Sequence, residues 1–194
     1  MLFPIFVSAG GDMKVVTIAS LLLALATAAT AQSKAPAQAI SNPVVSTVRQ
    51  LEERQSKNLI GAAEEMPADK YSYRPTPPQM TFAHLVMHIA GSNNFLCARV
   101  AGEQPRELKL SESDSKEMLT KALKDSFTYC EQVLSKADDS TLGQPVELHG
   151  GQTGPRAAAL ISLAADWADH YSAAAMYLRL NNLLPPSAKK AEGK

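Results

Sequence analysis

The stretch DWADHYSAAAMYLRLNNLLPP, residues 166–186, begins with two metal-binding residue types and continues with the small and apolar residues of a helix. Asp166 and His170 are four positions apart, so on a helix both side chains project from one face. Ala173 and Ala174 follow on roughly that side and leave room beside His170. From the spacing alone, a surface Asp–His pair worth a few tenths of a kcal/mol is the favoured interpretation. A metal site therefore requires a further ligand from elsewhere in the chain.

That ligand is found in the segment HLVMH, residues 84–88. His88 shares its face of the expected helix with Gly91, Ser92 and Phe95, whereas His84 lies near the helix start, where a solvated or capping role is favoured. Two histidines and one carboxylate suit zinc, nickel or iron. Three protein ligands also leave positions open for water or substrate, as in catalytic metal sites. We expect His88, Asp166 and His170 to bind one divalent metal.

Helical periodicity outlines a single folded domain over residues 42–186. Asn42 and Thr81 are expected N-caps, Gly102 is an expected stop, and a short extended piece is expected at 145–148. Four helices of about twenty residues without an alternating strand pattern predict an all-α fold, a four-helix bundle. A disordered tail is expected at 187–194. The predicted helices cover 43–65, 82–101, 115–137 and 155–181.

The first 31 residues have the features of a secretory signal. Lys14 precedes an apolar run over 15–26 and the small-residue motif at 29–31, within MKVVTIASLLLALATAATAQ. The run is too short to span a bilayer comfortably, and no cysteine follows it to carry a lipid anchor. We expect translation to start at Met13, cleavage after Ala31 and a linker over 32–41. The mature protein would then be periplasmic or secreted, without stable membrane insertion; a retained N-terminal anchor is the alternative.

Composition and the cysteines narrow the function classes. The chain has 194 residues with 19 basic and 19 acidic side chains and no basic stripe, which argues against a nucleic-acid partner. Cys97 and Cys130 lie on the second and third predicted helices and either form a disulfide in an exported protein or remain buried thiols. Cys97 follows His88 by nine positions, which places it on the opposite helix face from the metal site. Phe95, Trp167 and Tyr177 either line a pocket beside the metal or belong to the core.

Three segments together resemble the DinB superfamily of DinB/YfiT-like metalloenzymes. The segments are residues 66–103, 123–134 and 166–186, and together they span most of the mature chain. The shared features are a proline-rich entry to the second helix, a histidine within it, and an ending of the form HY…YLRL…PP. The resemblance implies a four-helix bundle that holds one divalent metal by three side chains, usually histidines.

The family's ligands map onto this chain with one departure. The second-helix histidine matches His88, and the second histidine of the fourth-helix H-x-x-x-H pair matches His170. The first histidine of that pair falls on Asp166, and the Gly-Gln that usually follows is replaced here by Ser172 and Ala173. Neither His84 nor His149 matches a ligand of the family pattern. A decayed metal site is therefore a second interpretation.

The resemblance implies a metal-dependent enzyme, a hydrolase or transferase acting on a small molecule of unknown identity. Family members of known activity include thiol-dependent transferases and isomerases, but export argues against a cytosolic thiol as cosubstrate. The alternative is a non-enzymatic envelope binding or stress module with a vestigial site. No residue is nominated as a catalytic base, and a homodimer is left open.

Overall fold

Four long helices form the body of the molecule. The computed structural model describes residues 39–192, and within them each predicted long helix is found within one residue of its expected ends. The all-α prediction is therefore confirmed. The helices are α1 (Pro43–Glu65), α2 (Phe82–Ala101), α3 (Lys116–Lys136), α4 (Arg156–Leu180) and a short fifth helix, α5 (Pro186–Glu192).

The ends of α2 follow the local sequence. The Thr81 hydroxyl accepts a hydrogen bond from the backbone N–H of His84 at 3.0 Å, which satisfies one of the free donors of the first turn. At the other end Gly102 adopts the left-handed conformation, φ 76°, and its N–H returns to the last turn. Both expected boundary signals of this helix are thus correct.

The start of α1 differs from the prediction. Asn42 precedes the helix with φ 51°, but its side chain caps no helical N–H. Instead the carboxylate of Asp139 accepts hydrogen bonds from the N–H groups of Val44 and Val45, both at 2.9 Å. The Asn42 side chain accepts from the N–H of Asp139 at 3.1 Å. An anionic cap from a distant loop suits the positive end of the helix dipole better than the neutral amide, so Asn42 positions the cap rather than forming it.

The helices pack in a four-cornered arrangement. Both α3 and α4 lie against α1 and against α2, whereas α1 and α2 occupy opposite corners, as do α3 and α4. The long connections over 66–81 and 137–155 join these diagonal pairs, a topology known from bundles with crossover loops. The largest side chains that are less than 2 % exposed fill the centre: Leu59, Met66, Phe82, Leu85, Ile89, Leu119, Leu123, Leu134, Leu160, Leu163, Trp167 and Leu178.

A small hairpin precedes α4. Strand β1 (Pro145–Glu147) was expected from the sequence, but its antiparallel partner β2 (Thr153–Pro155) was not. Val146 lies opposite Gly154, and the absence of a side chain at Gly154 makes space for Leu148. The turn between the strands, His149–Gly151, has φ of 75° and 74° at its two glycines. It presents His149 towards α2.

The two cysteines are joined in the structure. Cys97 of α2 and Cys130 of α3 are both fully buried and form a disulfide, with 5.4 Å between their Cα atoms and a separation of 33 positions in sequence. The sequence left open whether the two cysteines form a disulfide or remain buried thiols, and the structure has the disulfide. The bridge ties together two adjacent corners of the bundle.

The C-terminal segment differs from the expected disordered tail. The Tyr171 hydroxyl donates to the Ser187 hydroxyl at 2.7 Å and accepts from its N–H at 2.9 Å, Lys189 pairs with Glu65, and Pro186 packs beside Gly61. These tertiary contacts hold α5, which is too short to be stable alone. The expected signal peptide and most of the expected linker lie outside the described residues. Between 39 and 192, no helix is sufficiently long and apolar to traverse a bilayer.

Candidate metal centre

Asp166 and His170 lie together on the inner face of α4. Their side chains are 19 % and 13 % exposed, and Nδ1 of His170 lies 3.4 Å from Oδ1 of Asp166. The same Nδ1 lies 2.7 Å from the backbone carbonyl oxygen of Asp166. Because a carbonyl oxygen only accepts, Nδ1 carries the proton and donates it there. In the neutral tautomer with this bond, Nε2 of His170 has the free lone pair with which histidine binds metals.

His88 reaches the same point from α2. Its ring centroid lies 4.8 Å from that of His170. One candidate ligand atom from each of His88, Asp166 and His170 can be chosen so that all lie within 4.8 Å of one another. Nε2 of His88 also lies 3.4 Å from the Ser92 hydroxyl, one turn further along α2. The structure therefore brings together the three residues that the sequence nominated as ligands.

The charges of this cluster are poorly compensated by protein groups alone. Burial raises the pKa of Asp166, although His170, His88 and a hydrogen bond from the Ser92 side chain oppose the shift. Its Oδ2 atom is buried and has no hydrogen-bond partner among the described residues. Burial, and next the neighbouring His170, lower the pKa of His88, which favours the neutral imidazole. Two imidazoles and a carboxylate with one unsatisfied oxygen form a donor set that fits a divalent cation.

A cavity of about 650 Å³ opens beside the cluster. His88 and Asp166 contribute to its wall at one side, so a group in the cavity has direct access to them. The rest of the wall comes mainly from α2 and from the segment that connects α2 to α3. Its lining residues are His84, Met87, His88, Gly91, Ser92, Phe95, Leu96, Leu108, Leu110, His149 and Asp166.

The other two histidines line the cavity but do not join the cluster. His84 lies 3.5 Å from Oε2 of Glu112, which also accepts a hydrogen bond from the Thr81 hydroxyl. His149 packs against the ring of Phe95, with 5.9 Å between the centroids. The candidate ligand group of the described residues comprises His88, Asp166 and His170.

Of the three aromatic residues that could either line a pocket or belong to the core, one lines the cavity and two belong to the core. Phe95 lines the cavity. Trp167 and Tyr177 belong to the core, where Nε1 of Trp167 donates to Oδ1 of Asn93 at 2.6 Å and the Tyr177 hydroxyl donates to the Met80 carbonyl at 2.6 Å. Cys97 is in the disulfide and away from the cluster, as its helical position predicted.

Sequence reasoning missed the second wall of the cavity. Leu108 and Leu110 come from the irregular segment between α2 and α3, which has no helical period. The one sequence feature that marks these two leucines is the alternation of leucine with charged residues in RELKLS, residues 106–111. Asn93, which contacts Trp167 directly behind the cluster, was also missed, because a lone asparagine in a helix carries no pattern.

Comparison with family models matches residues 50–172 to the DinB superfamily. Comparison with curated proteins returns no match. A DinB-like protein from Bacillus subtilis has 21% identity and a TM-score of 0.57, over 73% of this chain and 93% of that one. A second, from Bacillus cereus ATCC 10987, has 15% identity and a TM-score of 0.60, over 73% and 95% of the two chains.

A mycothiol-dependent maleylpyruvate isomerase is also similar in structure. Its identity to this chain is 12% and the TM-score is 0.53, and 66% of this chain is covered. The match spans 59% of the isomerase, so this chain corresponds to about three fifths of that protein's length. At these identities the likeness establishes the fold alone.

Proposed function

Because this chain belongs to the DinB superfamily, we propose that it is a metal-dependent enzyme of the hydrolase or transferase class. His88, Asp166 and His170 hold one divalent cation, and a small-molecule substrate enters from the adjoining cavity. The observation that carries the proposal is the convergence of these three side chains, from two helices, on ligand atoms within 4.8 Å of one another. The donor set suits zinc, nickel or iron.

The protein groups around the cation have separable roles. When bound, the cation supplies Lewis acidity, which lowers the pKa of a coordinated water or thiol and polarises a substrate oxygen. The Asp166 carbonyl fixes the ring of His170 through Nδ1. The Asp166 carboxylate brings a negative charge that balances part of the cation's charge, and its unpartnered Oδ2 is free to ligate. The Ser92 hydroxyl, 3.4 Å from Nε2 of His88, can hydrogen-bond a ligand that occupies the cavity.

Hydrolysis is the favoured reaction within this class. The isomerase of similar fold is named for its dependence on mycothiol, a low-molecular-weight thiol. An exported enzyme would not meet a cytosolic thiol, whereas water is always present. Export is itself part of the proposal: we place the mature protein in the periplasm or outside the cell. The buried Cys97–Cys130 disulfide supports this location, because disulfides persist in oxidising compartments.

Metal analysis of untagged protein tests the proposal. We expect about one zinc, nickel or iron ion per chain by elemental mass spectrometry after dialysis. His170→Ala should retain less than a tenth of that amount, because two ligands bind a metal far more weakly than three. Hydrolysis of a panel of esters and amides should be lost with a chelator and restored by the same metal.

Substitutions at Asp166 test whether its carboxylate is a metal ligand. Asp166→Ala should lose most of the bound metal, and Asp166→His should keep it, because this change restores the three-histidine pattern of the family. Asp169→Ala is the matched control on the exposed side of α4 and should bind metal normally. Full occupancy in Asp166→Ala would remove Asp166 from the site. A wild-type protein that takes up no metal even after supplementation would instead favour the non-enzymatic module with a vestigial site.

A further inference from the structure

Nothing in the local backbone or packing requires a glycine at position 91. It lies in the middle of α2, where glycine costs about 0.5–1 kcal/mol relative to alanine. Its φ is not positive, and a Cβ built there would meet no atom within 4 Å. Neither backbone conformation nor close packing therefore requires a glycine. The remaining feature of the position is that it lines the cavity beside the metal centre, where the missing side chain enlarges the space.

The cavity around Gly91 has a largely apolar wall. Met87, Phe95 and Leu96 project from α2, and Leu108 and Leu110 face them from the connecting segment; we call these five residues the apolar wall. All five are partly exposed, and Leu108 is 40 % exposed. A volume of about 650 Å³ lies within the range of roughly 300–1,000 Å³ that small-molecule sites occupy.

Charge in the cavity is confined to its polar end. Among the described lining residues there is no lysine or arginine, and the one carboxylate is Asp166. Arg99 stacks on the ring of Phe95 at 4.9 Å, but it is buried, pairs with Glu147 at 3.3 Å and is not part of the lining. An anionic group against the apolar wall would therefore lose its hydration without gaining a partner.

We propose that the substrate is an uncharged, largely apolar small molecule whose body lies between Gly91 and the apolar wall and whose polar reacting group faces His88 and Asp166. The inference rests on the proposed function for the chemistry at the polar end. The shape and charge of the cavity carry the assignment of the apolar body. Gly91 is the residue that sets how large this body can be.

A matched pair of fluorescent probes tests the assignment. N-phenyl-1-naphthylamine is neutral, and 1-anilinonaphthalene-8-sulfonate is the same molecule with one sulfonate. We expect the neutral probe to bind at least tenfold more tightly than the sulfonate, both to chelator-treated protein and to zinc-loaded protein. Gly91→Leu fills the open space and should weaken the neutral probe at least tenfold, whereas Gly91→Ala should change it less than threefold. Gly143→Leu, at an exposed glycine with equally open surroundings, is the control and should bind both probes as wild type does.

Each outcome decides one of the two proposals. Equal or tighter binding of the sulfonate, or neutral-probe affinity unchanged by Gly91→Leu in a protein of normal circular dichroism, would overturn the assignment. If Gly91→Leu does not fold, the comparison of the two probes on the wild type still decides. Zinc content measured on the same samples reports the metal proposal separately, because a protein that binds the neutral probe but retains no zinc after incubation with the metal would end the metal proposal alone. A wild-type dimer by light scattering that Gly91→Leu dissociates would assign the cavity to a second copy of the chain and overturn the inference.

Discussion

Asp166 occupies the position at which the sequence resemblance implies a histidine. A carboxylate oxygen removed from water is costly unless it is paired, and the buried Oδ2 of Asp166 has no partner among the described residues. A histidine at this position would bring no charge and would leave a bound divalent cation with its full positive charge. With Asp166 the loaded centre carries one unit less positive charge. The substitution therefore lowers the net charge of a loaded site, which agrees with a cavity lined by few charged groups.

Glu52 offers a residue-scale test of stability far from the metal centre. It is 8 % exposed on α1, and burial, followed by the nearby Glu131 and Glu53, raises its pKa from 4.5 to about 7. Between these two values the folded protein holds more protons than the unfolded chain, so this residue's contribution to stability falls as the pH rises. Above pH 7 the charged carboxylate is a net cost.

We therefore expect Glu52→Gln to stabilise the protein at pH 8, by a free energy of unfolding on the order of 1–3 kcal/mol, and to give no gain at pH 4. Urea denaturation at both pH values measures the difference. Glu107→Gln removes the same charge from an exposed position and serves as the control. Equal pH dependence in the two variants would show that the burial of Glu52 has no energetic consequence.

Among the helices, Asn93 connects α2, α3 and α4 at one point. From α2 its side chain accepts from Nε1 of Trp167 on α4 at 2.6 Å and donates to the Ser126 hydroxyl on α3 at 3.0 Å. It is fully buried and adjacent in sequence to Ser92, as Trp167 is to Asp166. The contact therefore sets how α2 and α4 face each other directly behind the metal centre.

Asn93→Leu should destabilise the fold by about 2–4 kcal/mol, because it leaves the buried indole N–H without an acceptor and removes the contact to Ser126. Ser126→Ala removes only one of the two bonds and should cost about 1 kcal/mol. Guanidinium denaturation of the metal-free proteins measures both losses. A loss below 1 kcal/mol for Asn93→Leu would mean that packing alone aligns the helices.

The disulfide between α2 and α3 stabilises the same pair of helices in another way. Because it closes a loop of 33 residues, its removal should lower the free energy of unfolding by about 3–4 kcal/mol in the chain-entropy model. We expect this loss in the Cys97→Ala, Cys130→Ala double variant. Since neither cysteine touches the cluster, metal occupancy of the folded variant should remain normal. Loss of the metal at unchanged stability would contradict the separation of the two sites.

Prediction from sequence succeeded where the signal was local. Thr81 and Gly102 delimit α2 by side-chain and backbone chemistry of their own, and i, i+4 spacing together with the family pattern identified the three cluster residues. It failed where the partner is distant. The Asp139 cap of α1, strand β2 and helix α5 all depend on contacts between segments far apart in the chain. The apolar wall was missed for a related reason, since two of its five residues come from a segment without periodicity.

For the whole molecule, the bundle arrangement explains why the centre lies where it does. Consecutive helices α1 and α2 occupy opposite corners, as do α3 and α4, so that α2 and α4 become neighbours. The candidate ligands on α2 and α4 meet because these two helices are neighbours. The segment from α2 to α3 then passes beside the cavity and supplies Leu108 and Leu110. One topology thus produces both the metal centre and its apolar wall.

The location of the whole protein is the remaining prediction, and two independent observations support it. One is the Lys14–apolar–small-residue pattern of the N-terminal segment, and the other is a buried disulfide, which a reducing cytosol rarely sustains. Expressed from Met13 in its native sequence, the protein should be recovered from envelope extracts. Its first residue by mass spectrometry should be Gln32, and it should show no reactive thiol under denaturing, non-reducing conditions. Ala31→Leu changes the cleavage motif and should accumulate an uncleaved chain as the control. An intact Met13 on a cytosolic protein with two free thiols would refute export, and it would restore a cytosolic thiol as a candidate cosubstrate for the metal centre.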